Sequence, residues 1–190
     1  MMPVALGPGP AAGPTPAVQQ LRAIRRLRVL GRVLCIAAHP DDENTGLLSW
    51  LVHGEGVRAA YLSLTKGEGG QNLIGPERAP LLGLIRAQEL LAARRIDGAE
   101  QFFGSQVDFG YSKSREETLT VWDEERALGE VVGVIRRFQP DVIVTRFSPD
   151  ERDTHGHHTT SALLGIEAFN AAAEPALFPE QVATLAPWEA

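Results

Sequence analysis

A chain of 190 residues, 44% hydrophobic and 22% charged, is enough for one α/β domain with a proper core and not comfortably two. A formal net charge of −6 argues against general nucleic-acid binding, which needs a basic face. No run of about 18 apolar residues is present to span a membrane, and the single cysteine, Cys35, rules out an intrachain disulfide.

Residues 1–16 are rich in Pro, Gly and Ala and carry no charge, and read as a disordered leader. They lack the basic start and unbroken apolar core of a secretion signal. Export after loss of such a signal stays open beside a cytoplasmic location. Residues 17–30 are helix-like. Leu21, Ile24, Leu27 and Leu30 form one stripe, expected to pack across a sheet edge, with Arg22, Arg25, Arg26 and Arg28 facing out. Residues 32–37 (RVLCIA) read as a buried central strand, with Cys35 a small core residue.

Directly after that strand stand His39, Pro40, Asp41, Asp42 and Glu43, and after them a helix begins. Adjacent carboxylates repel, and a partly buried one must be paired or metal-bound. His39 and Asp42, three apart across a turn, can converge on one cation while Asp41 stays free. The plain alternative is that Asp41 or Asp42 caps the helix. The helix is expected to end near His53, a solvated helix-end residue, with Gly54 as its cap.

Residues 57–64 form a second strand, opening into the glycine-rich loop 65–72. That loop fails the dinucleotide fingerprint, because Asn72 stands where a glycine is required and the loop follows the second strand. A nucleotide-dependent oxidoreductase is therefore a weak reading. The loop reads instead as a backbone that approaches a ligand, with Glu68 and Asn72 offering polar contacts; a plain turn is the alternative. Residues 76–96 form a long helix on which Arg86 and Glu89 can pair. A short strand at 99–103 leads to the loop 108–114, whose aromatic and polar groups, Asp108 among them, suit a sugar ring. Residues 123–138 form an amphipathic helix and 141–147 another strand. Past it, three of the five histidines fall within four residues, His155, His157 and His158, at the start of a helix over 156–173. The proline-containing tail, 174–190, reads as irregular. Two polar clusters, each just beyond a strand end, occupy the place where open α/β sheets bind ligands.

The pair His39-Pro40-Asp41-Asp42-Glu43 and His155-Gly156-His157-His158 resembles the signature of the PIG-L/LmbE-like zinc deacetylases. The likeness extends through residues 65–72, 86–90 and 108–112 and covers roughly 20 to 188. It implies a Rossmann-like three-layer α/β sandwich with a mostly parallel sheet. It implies removal of an N-acetyl, or similar N-acyl, group from an amino-sugar-type small molecule or glycoconjugate. It also places Arg86 near the substrate. Relatives continue beyond a Pro-Trp like Pro187-Trp188, so residues 17–190 are expected to be the N-terminal part of a longer chain, truncated at the C-terminus. Many relatives have Pro and Asp between the two outer histidines, where this chain has Gly156 and His157.

His39, Asp42 and His158 would give a metal two nitrogens and one oxygen, leaving a fourth position open, as in catalytic zinc sites. Calcium and magnesium want more oxygens; ferrous iron shares this donor set, so zinc is favoured over Fe2+. Asp41 is the candidate general base. His155 would face the developing oxyanion or protonate the leaving amine. Asp150 or Asp153 would hold an imidazole in its tautomer. His157 is a weaker ligand candidate because it breaks the H-x-x-H spacing. The resemblance implies the same roles for His39, Asp41, Asp42, His155 and His158. The competing reading is a Rossmann-like module that binds metal or sugar without turnover. The oligomeric state is not legible.

Overall fold

The computed structural model describes residues 15–150 and 155–190. The element order is α1 (Pro16–Arg26), β1 (Arg32–Ala37), α2 (Thr45–Ser49), a π-helical turn (Trp50–Glu55), β2 (Arg58–Ser63), α3 (Pro80–Asp97), β3 (Glu100–Phe103), α4 (Arg115–Leu119), α5 (Glu124–Phe138), β4 (Val142–Thr145), α6 (Gly156–Ala173) and α7 (Pro179–Val182). The strands form one sheet in the order β3-β2-β1-β4, and every pairing is parallel. Side-chain alternation along β1 splits its residues between two cores. Leu34 and Ile36 face Val131, Val132 and Ile135 of α5 and Leu164 of α6. Cys35 and Ala37 face Leu48, Leu51, Val52 and Leu90 on the other side. Both sheet faces are therefore covered, which explains why β1 and β2 read as unbroken apolar runs. This is the expected three-layer α/β arrangement. Burial pushes the Cys35 thiol up to about 11, so it behaves as core filling.

The order places the switch in winding direction between β1 and β4, and a crevice opens there at the strands' carboxyl ends. Both histidine-bearing segments leave the sheet at that point.

Several local expectations shift. The first helix ends at Arg26 and has no buried residue. Leu21, Ile24, Leu27 and Leu30 are exposed. The arginines are the side that meets the body: Arg22 Nη1 lies 3.4 Å from His53 Nδ1, and the Arg26 side chain passes close over Gly56. Both faces of the sheet were already taken, so the stripe finds no partner among the described residues. His53 is accordingly tied down rather than solvated, with Nε2 bonded to the Ile96 carbonyl at 3.0 Å. The π-turn carries the second helix one residue beyond Gly54, to Glu55, and Gly56, at φ 75°, caps it. The long helix starts four residues late, at Pro80, where a proline is preorganised for the first turn. Helix α4 follows the 108–114 loop without a sequence expectation for it: Ser114 caps it by accepting from Glu117 N. The tail is held by buried Arg136, which donates to the carbonyls of Ala171, Ala172, Glu174, Leu177 and Phe178. Residues 1–14, with nearly all of the expected leader, lie outside the described residues, as does Asp153. Among the described residues no helix is long and apolar enough to cross a membrane.

Candidate active site

The turn after β1 is built by its own side chains. The Asp42 carboxylate folds back and accepts from His39 N at 2.7 Å, and its Oδ2 lies 3.2 Å from His39 Nδ1. Asp41 N donates to Glu43 Oε2 at 2.9 Å. Asp41 itself sits at φ 106°, a left-handed conformation that costs energy for any residue but glycine. That cost is met by bonds around it: Arg86 Nη2 donates to Pro40 O at 2.7 Å and pairs with Asp41 Oδ2 at 2.7 Å. Helix α2 is capped by Asn44, whose side chain accepts from Leu47 N at 2.9 Å. Neither aspartate is its N-cap.

Glu43 turns inward. Its side chain is 5% exposed and faces Arg94 Nη2 at 3.4 Å; the same guanidinium grips Asp97 at 2.5 Å. The Tyr61 hydroxyl donates to the His39 carbonyl. These groups anchor the turn to α3 and β2. Sequence spacing gave no hint of them, since Glu43 and Arg94 are 51 positions apart.

The second cluster arrives on α6. His155 is its N-cap, and its Nδ1 accepts from His157 N at 3.4 Å. His158 lies flat against Phe147, with ring centroids 3.6 Å apart and 2° between planes, and its Nε2 is 3.5 Å from Asp42 Oδ1. One ligand atom each from His39, Asp42 and His158 lies within 4.8 Å of the others. A second set, His39, His155 and His157, satisfies the same limit. His157 is fully buried, with its ring stacked on Trp122 at 4.8 Å and edge-on to Phe109 at 4.5 Å. Its Nδ1 is 2.9 Å from His39 Nε2.

The remaining residues singled out from sequence divide. Arg86 stands beside Asp41 rather than paired to Glu89, and also donates to Gly67 O at 3.1 Å. Asp108 is buried among the imidazoles, with Oδ1 3.9 Å from His39 Nε2 and 3.8 Å from His157 Nδ1. Asn72 spends its amide on its own loop, accepting from Ile74 N and Gly75 N and donating to Glu77. Glu68 accepts from Lys66 N at 3.1 Å. The glycines of loop 65–72 serve packing: a Cβ on Gly69 would overlap the backbone of Asp108 and Gly110.

Gly156 has an equally specific reason. A Cβ there would run into Ser114 O and Ser112 Oγ, because Gly156 N donates to Ser112 O at 2.8 Å. Gly156→Ala is expected to lower stability by about 1–3 kcal/mol through overpacking and to weaken metal retention, since α6 would have to back away from the crevice. Thermal melts with and without added zinc check both.

The charges follow the geometry. Burial works to raise the Asp42 carboxyl, but its hydrogen bonds from His39 and the nearby His39 and His158 imidazoles outweigh it and hold it below the usual range. Partial burial raises the Asp41 carboxyl, against the pull of Arg86, although 71% of that side chain is open to solvent. Burial, then repulsion from the neighbouring rings, lowers His155, and pushes His157 down to about 3. Beside Asp41 a crevice of about 480 Å3 is lined by Pro40, Glu43, Gly70, Gln71, Arg86 and Glu89. No histidine lines this crevice, nor a larger depression of about 1200 Å3 between β3, α5 and the tail.

The family description "PIG-L: GlcNAc-PI de-N-acetylase" matches residues 34–169, from the first strand to the last turns of α6. The chain belongs to the PIG-L family. Within that family it is 31% identical over 175 residues to a 1D-myo-inositol 2-acetamido-2-deoxy-alpha-D-glucopyranoside deacetylase of Streptomyces avermitilis, an alignment covering 83% of this chain and 58% of that protein. It is 28% identical to a mycothiol S-conjugate amidase of Streptomyces coelicolor, over 78% of this chain and 55% of that one. The chain thus spans little more than half the length of these curated relatives. Among solved structures it resembles the N,N'-diacetylchitobiose deacetylase of Pyrococcus horikoshii, with a TM-score of 0.66 and 21% identity over 95% of this chain and 68% of that one. It also resembles the 4-carboxy-2-hydroxymuconate hydratase of Pseudomonas putida, with a TM-score of 0.61 and 22% identity over 77% and 58%. At such identities the likeness shows the fold alone, and the two proteins carry different activities on it.

Proposed function

We propose that the chain is a metal-dependent hydrolase that removes an N-acetyl, or similar N-acyl, group from an amino-sugar-type small molecule or glycoconjugate. The observation that carries this is that one ligand atom each from His39, Asp42 and His158 lies within 4.8 Å of the others, while Asp41, next in sequence to Asp42 and outside that set, pairs with Arg86. Two imidazoles and one carboxylate, with no thiolate to close the set, fit zinc with a vacant corner; ferrous iron takes the same donors. A zinc ion held there would lower the pKa of a water toward about 7 and polarise the amide carbonyl.

The protein's own groups supply the rest. Asp41, a carboxylate outside the ligand set, takes the proton of the attacking water. Arg86 holds Asp41 through Oδ2 and orients it. His155, whose ring centroid is 5.3 Å from that of Tyr111, faces the developing oxyanion or hands a proton to the departing amine. The crevice lies in the size range of small-ligand sites, and Gln71, Arg86 and Glu89 offer polar groups to a sugar's hydroxyls beside apolar Leu90 and Ala93. The module without turnover is less well supported, because a binding site has no use for a strained, unligated acid beside its ligands, and the two Streptomyces relatives are a deacetylase and an amidase.

The test is amine release from a panel of N-acetylglucosaminides, including inositol and thiol conjugates. Release is expected with zinc, is expected to vanish after chelation, and should return on adding zinc back. Metal bound tightly with no release from any amide would sink this reading.

A further inference from the structure

The two edges of the His39 ring face different company. Nδ1 is 3.2 Å from Asp42 Oδ2, on the side of His158. Nε2 is 2.9 Å from His157 Nδ1. Asp108, the nearest carboxylate on that edge, is a full ångström further from Nε2, at 3.9 Å, and spends the same oxygen on Gly110 N at 2.8 Å. The His157 ring cannot swing away: it is fully buried, clamped between Trp122 and Phe109, on a helix start pinned by Gly156 against Ser112. Its Nε2 has no hydrogen-bond partner. An apolar ring in that pocket would avoid the cost of a buried, half-satisfied imidazole. What the imidazole adds is its Nδ1.

We propose that His157 is a positioning residue for His39, its Nδ1 accepting the proton carried on His39 Nε2 and so fixing the His39 ring with Nδ1 toward Asp42 and His158. The inference rests on the ligand set given under the proposed function. Metal-bound histidines commonly pass their second N–H to a carboxylate or a carbonyl, and loss of that partner costs about 10–100-fold in metal affinity. Here the acceptor is another imidazole. A neutral acceptor draws less on the proton than a carboxylate would, so His39 is held in place without being made a much stronger donor.

The experiment measures zinc affinity by competition with a chromophoric chelator for the wild-type chain and for His157→Phe, His157→Asn and Asp42→Asn. His157→Phe keeps the ring stack and removes the acceptor. It is expected to bind zinc 10–100-fold more weakly with an unchanged thermal midpoint, and His157→Asn, whose side-chain oxygen can accept, is expected to recover most of the loss. Wild-type affinity in a folded His157→Phe overturns the proposal. So does tight binding that survives Asp42→Asn and fails in His157→Phe, since the ion would then sit on the Nε2 edge. Should His157→Phe not fold, the wild-type chain decides by 15N-imidazole NMR of the zinc form. A slowly exchanging proton on His39 Nε2, coupled to His157 Nδ1, supports the assignment; its absence overturns it. Wild-type protein that shows this proton and releases no amine supports the positioning role and removes only the deacetylase reading.

Discussion

Asp41→Asn is expected to lower turnover by about 10²–10⁴-fold while zinc affinity and fold stay as they are. The substitution removes one negative charge and the ability to take a proton, and changes little else. The backbone tolerates it: Asp41 sits at φ 106°, and asparagine is among the few residues that enter positive φ readily. The amide oxygen can still accept from Arg86, so the guanidinium keeps its place against Pro40 O. Asp42, which folds back on His39 and faces His158, is untouched. A combined assay of amine release and bound metal separates the outcomes. Loss of zinc together with activity would make Asp41 a ligand. Turnover within tenfold of wild type would remove it as the base.

Arg94→Met is expected to cost on the order of 3–5 kcal/mol of stability, the largest loss of any single change proposed. The reason is what the substitution strands. Asp97 and Glu43 have side chains only 6% and 5% exposed, and Arg94 is the cation that faces both. Without it, two carboxylates remain in a desolvated pocket under α3. The effect reports that stranding rather than a strong ion pair, so adding Asp97→Asn to Arg94→Met is expected to recover part of it. The consequence reaches the active site because Glu43 also accepts from Asp41 N at 2.9 Å. Urea denaturation of the three proteins measures the cost, and zinc affinity measures the loosened turn. A loss under 1 kcal/mol would show that the pocket rehydrates and that Glu43 does not anchor the motif.

Much of this was legible from spacing alone. Aliphatic runs placed β1, β2 and β4 within two residues of where they lie, and the helical period placed α5 to within one residue at its start. The two polar clusters, each directly past a strand, marked the crevice, because parallel strands in a two-faced sheet must deliver their trailing loops to one edge. Where the linear signal was ambiguous it misled. The stripe of α1 looks like a packing face, yet an amphipathic pattern says only which side chains share a side, and here the sheet had no face left to offer.

The identities of His39, Asp42 and His158, and the free acid between them, belong to the sequence: a three-residue turn and a helix start fix which atoms lie together within each segment. Their meeting across more than a hundred positions belongs to the strand order β3-β2-β1-β4. The same is true of Arg94 under Glu43, Arg86 beside Asp41, Phe147 against His158 and His157 behind His39. Local period encodes faces, whereas partners from distant segments are selected by which loops the closed sheet brings to one end, and by the need to satisfy every charge buried on the way.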